Sequence, residues 1–203
     1  MHLNRRRFLG GMVAGSAAAA FTLPARPVSA TVASGSTPAL LPQALAALNA
    51  HGQVIPNRDL IGIVDFSAPS RSARFDIVDV VGGRVLGRHL VAHGSGSDPA
   101  NSGWVQRFSN LPGSNASSKG SFVTGQHYYG RHGRSRRLMG LEAENSAALA
   151  RNIVIHGASY VTPQMAEDVG RIGRSQGCFA VSTSEIADVL ELLGPGRLLF
   201  AAK

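Results

Sequence analysis

From residue 39 onward the apolar residues fall into short runs separated by Gly, Pro, Ser and Asn. Leu41, Leu45 and Leu48 recur at helical spacing, so residues 42–49 are predicted as a short helix, ended by Asn49-Ala50-His51-Gly52. Residues 61–66, Ile-Gly-Ile-Val-Asp-Phe, read as a strand. Residues 75–81 and 84–91 flank a Gly82-Gly83 pair and predict a β-hairpin, since glycine tolerates the positive φ of a tight turn. Periodicity then fades, and residues 93–99 and 108–114 are loops rich in turn formers. Short strands are expected at 121–124 and 153–156. Residues 184–193 predict a helix capped by Ser184, with Ile186, Val189, Leu190 and Leu193 inward and Gly194-Pro195-Gly196 stopping it. Residues 197–201 close the chain as a strand. The sum is a mainly β domain with peripheral helices, an α+β class.

The N-terminus follows a different pattern. Arg5-Arg6-Arg7-Phe8-Leu9 precedes a weakly apolar stretch, residues 11–23, too short and too rich in Gly and Ala to span a bilayer. Val28-Ser29-Ala30 then offers small residues at the −3 and −1 positions of a cleavage site. Residues 1–30 are therefore read as a twin-arginine-type signal, residues 31–38 as a flexible Ser/Thr/Gly/Pro leader, and residues 39–203 as one domain. A basic anchor that stays attached is the other reading of the same stretch. Export to the periplasm or another extracytoplasmic space follows, with no stable membrane span once the signal is removed.

Losing the signal changes the charge. The chain has 20 Lys+Arg and 12 Asp+Glu, and Arg5, Arg6, Arg7 and Arg26 leave with residues 1–30, so the remainder carries 16 − 12 = +4. That balance gives no reason to expect a nucleic-acid partner, which would call for clustered cations interleaved with stacking aromatics. It suits an anionic extracytoplasmic polymer, and solubility alone would explain it equally well.

One cysteine, Cys178, occurs in the chain, in Arg174-Ser175-Gln176-Gly177-Cys178-Phe179. An exported protein normally pairs its cysteines, and one without an intrachain partner is a candidate reactive thiol. Twenty-two residues upstream (178 − 156), an apolar run delivers His156-Gly157. A thiol near its ordinary pKa of about 8.5 is only a few per cent thiolate at neutral pH, so a nucleophilic cysteine needs a base such as His156 beside it. The glycine before Cys178 permits a sharp turn, and the N–H groups of Gly177 and Cys178 are natural oxyanion donors.

His156-Gly157 followed by Ser175-x-Gly177-Cys178 resembles the signature of the L,D-transpeptidase (YkuD-like) enzymes of bacterial cell-wall metabolism. Further blocks resemble its divergent murein L,D-transpeptidase catalytic-domain branch: Val91-Ala92-His93-Gly94-x-Gly96-Ser97, Phe108-Ser109-Asn110-x-Pro112-Gly113-Ser114, Tyr129-Gly130-x-His132-Gly133-x-Ser135 and Gly140-Leu141-Glu142. The resemblance implies a YkuD-like catalytic fold of β-sandwich or mixed sheets. It implies a cysteine acyl transferase, without cofactor or metal, acting on peptidoglycan stem peptides. Cys178 is then the nucleophile, His156 the general base, and the Gly157 carbonyl the group that orients His156. Ser175, Arg174, Tyr129, His127 and His132 are the implied substrate-binding residues.

Two positions depart from the family pattern. Gln176 stands where a histidine is common, and Ala180 where an arginine or asparagine is common. Arg174 and Arg171 are candidates to bind a stem carboxylate in place of the missing residue, and His127 and His132 to supply the missing imidazole. His93, Asp98, His127, Tyr129 and His132 read equally well as side chains satisfying loop backbone. Arg134, Arg136 and Arg137 read as a solvated basic stretch that could face glycan and peptide carboxylates. Three alternatives stay open. A hydrolase would use water as acceptor, a binding module would have lost the chemistry, and a zinc site would draw on Cys178, His156, His132 and His127.

Overall fold

The computed structural model describes residues 37–203. The predicted signal, residues 1–30, and residues 31–36 of the leader lie outside the described residues.

Leu60–Asp65 (β1) is apolar on both sides, and four of its six residues are buried, as expected of a strand covered on both faces. It pairs antiparallel with Phe75–Asp79 (β2), which pairs antiparallel with Arg84–His89 (β3). On its other side β1 runs parallel to Leu198–Ala202 (β8), so the chain's last strand lies beside its first. Gly120–Gly130 (β4) joins β8 and forms a long hairpin with Gly133–Gly140 (β5). Val154–Ala158 (β6) and Phe179–Ser182 (β7) complete one eight-stranded mixed sheet, in the order β3-β2-β1-β8-β4-β5-β6-β7. Three helices accompany it: Leu41–Ala50 (α1), Pro163–Val169 (α2) and Ile186–Leu192 (α3). The architecture is mostly β with peripheral helices.

Alternation along β1 divides the core. Ile61 and Ile63 face a cluster with Ala44 and Leu48 of α1, Val78, Val123 and Leu198. Val64 faces the larger cluster, where Phe66, Phe75, Phe122 and Phe179 meet Val189 and Leu190 of α3. A third cluster joins Val161, Ala166 and Ile172, around α2, to Ala92 and Ala180. Phe179 stacks on Phe66 at 6.0 Å and meets Phe122 edge-on at 5.5 Å between ring centroids. The residue after the lone cysteine is thus anchored in the centre of the main core.

Several local expectations change. The β2–β3 connection is a four-residue loop, not a tight Gly-Gly turn. Asp79 Oδ1 accepts the Gly82 N–H at 2.8 Å, and only Gly83 of the glycine pair has positive φ, +64°. A register shift at Ile77/Val78 accompanies the longer loop. The residue flanking α3 is Glu185 rather than Ser184, whose hydroxyl meets that of Ser182 at 2.8 Å. The strand expected at 121–124 extends to Gly130. Arg136 is not part of a solvated stretch: it is buried, donating to Leu190 O at 2.7 Å and Gly125 O at 2.8 Å. It faces inward because Arg137, the next residue along the strand, takes the opposite face.

Candidate active site

Parallel pairing of β6 and β7 brings the two candidate residues together across 22 positions of sequence. His156 registers with Ala180, and Ile155 with Phe179, so Cys178 enters β7 beside the strand that carries His156. His156 is 1% exposed, and its Nδ1 lies 2.9 Å from the carbonyl oxygen of Gly157. A carbonyl can only accept, so Nδ1 carries the hydrogen and Nε2 keeps the lone pair. Cys178 Sγ donates to Asn152 O at 3.5 Å, and the Val154 N–H points at the sulfur. Cys178, His156 and His132 line one cavity of about 920 Å³.

The turn before Cys178 is held from several sides. Gly177 has φ +111°, and a Cβ there would lie 2.7 Å from Ala116 O and 3.0 Å from Ile153 Cδ1, so only glycine fits. Ser175 Oγ accepts the Gly177 N–H at 3.1 Å and donates to Cys178 O at 2.7 Å. The Ser175 backbone is clamped in turn, its N–H donating to His93 O at 2.9 Å and its carbonyl accepting from Ser95 N–H at 2.8 Å. These contacts engage two groups that the sequence singled out. Ser175, implied as a substrate-binding residue, lines the cavity with its hydroxyl engaged within the loop. The Gly177 N–H, expected as an oxyanion donor, is engaged by Ser175.

Behind this clamp lies a buried polar group. Arg74 donates to Val91 O at 3.0 Å and to His93 Nδ1 at 2.7 Å, and His93 Nε2 faces Asp98 Oδ2 at 3.4 Å. Burial and the neighbouring Arg74 charge push His93 down to about 4, so the ring is neutral with its hydrogen on Nε2. His93 and Asp98 thus serve the loops that carry the site, as the composition of those loops suggested.

Burial also sets the protonation of the candidate pair. It pushes the Cys178 thiol above its ordinary value, against the Val154 N–H and the Arg131 and Arg151 charges, which favour thiolate. Burial lowers His156; the Gly157 carbonyl opposes this, while His132 and Arg131 reinforce it. Both shifts disfavour a thiolate–imidazolium pair in the free protein. They leave a neutral thiol and a neutral imidazole on the wall of one cavity, protonation states suited to moving a proton during attack by a thiol.

The other expected residues divide. His132, at the hairpin tip, stacks on His156 at 4.2 Å between centroids and 23° between planes, and accepts from Arg131 Nε at 2.9 Å. Arg174 and Gln176 also line the cavity, with Arg174 donating to Asp98 O. His127 and Tyr129 do not line it; they meet each other edge-on at 6.4 Å, and Tyr129 is 76% exposed. Strand alternation explains the correction, since Tyr128 between them takes the cavity face. Arg171 is likewise absent from the lining. Ala180 is buried in β7.

Arg151 was not singled out by the sequence. Its guanidinium reaches Ser109 O at 2.7 Å, Ser118 Oγ at 2.8 Å and Ala116 O at 2.5 Å, tying its own turn to the 109–118 loop beside the cysteine loop. It sits in a turn-rich stretch with no periodicity to mark it. Among the described residues no group of three or more His, Cys, Asp and Glu side chains could hold a metal ion, and no helix is long and apolar enough to cross a membrane.

A model of the L,D-transpeptidase catalytic domain family (YkuD_2) matches residues 33–202. Among solved structures, an L,D-transpeptidase from Mycobacterium smegmatis is similar at 13% identity and TM-score 0.44, over 71% of this chain and 59% of that one. One from Xylanimonas cellulosilytica shares 17% identity at TM-score 0.44, over 79% of this chain and 70% of that one. L,D-transpeptidase 1 of Mycobacterium tuberculosis shares 14% identity at TM-score 0.40, over 71% and 62%. The match to the M. smegmatis protein thus spans less than two thirds of that protein's length. The comparison with curated proteins gives no match.

Proposed function

Since the chain belongs to the L,D-transpeptidase catalytic domain family, we propose that it is a cysteine acyl transferase that acts on peptidoglycan stem peptides outside the cytoplasm. The observation that carries this reading is the pairing of Cys178 with His156 on one cavity wall, with His156 Nδ1 held by Gly157 O at 2.9 Å.

The chemistry runs as follows. His156 Nε2 takes the thiol proton as Sγ attacks a peptide carbonyl of the donor stem. The tetrahedral oxyanion needs a donor. With the Gly177 N–H engaged by Ser175 Oγ, that role falls to the Cys178 N–H. Collapse breaks the C–N bond, His156 returns its proton to the departing amine, and a thioester forms on Cys178. An acceptor amine then attacks the thioester, loses a proton to His156, and expels the thiolate, which is reprotonated. His132 supports His156 through its stacked ring, standing in for the imidazole that Gln176 lacks. Four arginines on the wall, and no acidic residue, suit an anionic stem peptide. Export through the twin-arginine-type signal would deliver the protein to that substrate.

Treating sacculi with the protein and with Cys178→Ala tests the reading. New cross-linked or amine-exchanged muropeptides should appear only with the unmodified protein. Identical products from both proteins would overturn it, and trimmed stems without cross-links would assign water as the acceptor.

A further inference from the structure

The cavity beside Cys178 holds Arg131, Arg137, Arg151 and Arg174, with no aspartate or glutamate among its lining residues. Arg151 and Arg174 are engaged by backbone and serine oxygens. Arg137 is different. Its guanidinium carbon lies 4.3 Å from the centroid of the Tyr128 ring, and no hydrogen bond or ion pair is found for it among the described residues. Arg131, at the hairpin tip, gives one N–H to His132 and has no carboxylate partner there. A guanidinium whose face is fixed on an aromatic ring keeps its N–H edge free, and that edge matches a carboxylate in two parallel hydrogen bonds. Two such cations on one hairpin, without a counter-anion, are arranged to receive a negative charge from a ligand.

Ala180, two residues beyond Cys178, is buried inside β7 and offers a ligand no charge, so the cations open to one lie on the cavity's other walls, the β4–β5 hairpin among them.

We propose that Arg137 on its Tyr128 platform, together with Arg131, forms a carboxylate-binding subsite that selects stem peptides with a free internal carboxylate over their amidated forms. This rests on the stem-peptide reading above. Arg137 supplies the fork, Tyr128 sets its plane, and Arg131 adds charge from the hairpin tip.

Two measurements test it, and the first does not depend on the transferase reading. Cys178 is alkylated with iodoacetate, an anion, and with iodoacetamide, its neutral counterpart. Both meet the same thiolate, so the ratio of their rate constants reports local potential. Arg137→Gln should lower that ratio by about 3- to 10-fold, and 0.5 M salt, roughly the range in which exposed charges are screened, should do the same to the unmodified protein. Arg137→Lys keeps the charge and should retain most of the ratio. In the second, tetrapeptide stems whose internal carboxylates are free, or amidated one at a time, are titrated into Cys178→Ala protein. One amidation should weaken binding at least about 10-fold, and that difference should be lost when Arg137→Gln is added and only partly kept when Arg137→Lys is added. An unchanged alkylation ratio in Arg137→Gln, equal binding of all the peptides, or discrimination surviving the loss of Arg137 would each overturn the subsite. Loss of the alkylation ratio in Arg137→Gln without any thioester in the unmodified protein would instead keep the anion site and overturn the transferase.

Discussion

Acid should destabilise this fold through one buried histidine. His93 is fully buried, and its Nδ1 accepts from Arg74 Nη2 at 2.7 Å. A proton added there would meet a guanidinium with no water between them, and the Asp98 carboxylate at 3.4 Å compensates only in part. The ring is pushed from an ordinary 6.5 to about 4. An unfolded chain therefore binds a proton at His93 below pH ~6.5, whereas the folded chain resists until pH ~4. Stability is complete above the upper value and falls as pH drops through this window. A difference of 2.5 pH units corresponds to about 3 kcal/mol, a large share of the ~5–15 kcal/mol typical of a domain. The assay is urea unfolding at pH 7 and pH 4.5, on the natural chain and on His93→Gln, which cannot titrate. His156 and His132 also have lowered values, but they are present in both proteins and cancel in the comparison. The natural chain should lose about 2–3 kcal/mol more than the variant over this interval. Equal losses in the two proteins would refute the reasoning.

Phe179→Ala should cost about 3–5 kcal/mol in unfolding free energy, because it removes the ring shared by Phe66 and Phe122 beside the cysteine loop. A loss below about 1 kcal/mol would show that the core does not anchor that loop. Because burial raises the Cys178 thiol, iodoacetamide alkylation should keep accelerating above pH ~8.5, the ordinary cysteine midpoint. A plateau near neutral pH would contradict the neutral thiol–imidazole ground state.

The sequence showed the apolar strands and the candidate pair, Cys178 and His156, more readily than the walls around them. Residues 61–66 and the last helix carry clear apolar signals, because both faces of the strand and one stripe of the helix are buried, and the β2–β3 hairpin was marked by Gly82-Gly83 between two runs although β3 itself has no buried residue. The β4–β5 hairpin left less trace. Its outer half, from Gln126 to Arg134, projects beyond the core and reads as polar loop, and a register shift between Thr124 and His127 interrupts its alternation. That gap also hid which of the hairpin's side chains face the cavity: His127 and Tyr129 were implied as substrate-binding, whereas Tyr128, which the sequence did not mark, and Arg137, read as part of a solvated basic stretch, line it. One register step decides which set faces the cavity, and residue type does not reveal it. α2 did leave signals, a Thr162 cap accepting from Met165 N–H at 3.0 Å and Pro163 at the first turn, but seven residues are too few to show a period. Arg151 became visible only when residues 109–118, some 35 positions away in sequence, folded around its guanidinium.

The most direct measurement is intact mass of the protein during turnover of a stem tetrapeptide. The natural chain should show a thioester adduct of the donor acyl group on Cys178. That adduct should disappear, with matching formation of a new amide, when an acceptor amine is added. It should be absent in Cys178→Ala. An adduct that survives Cys178→Ala, or stem turnover at undiminished rate in that variant, would contradict covalent catalysis by this cysteine.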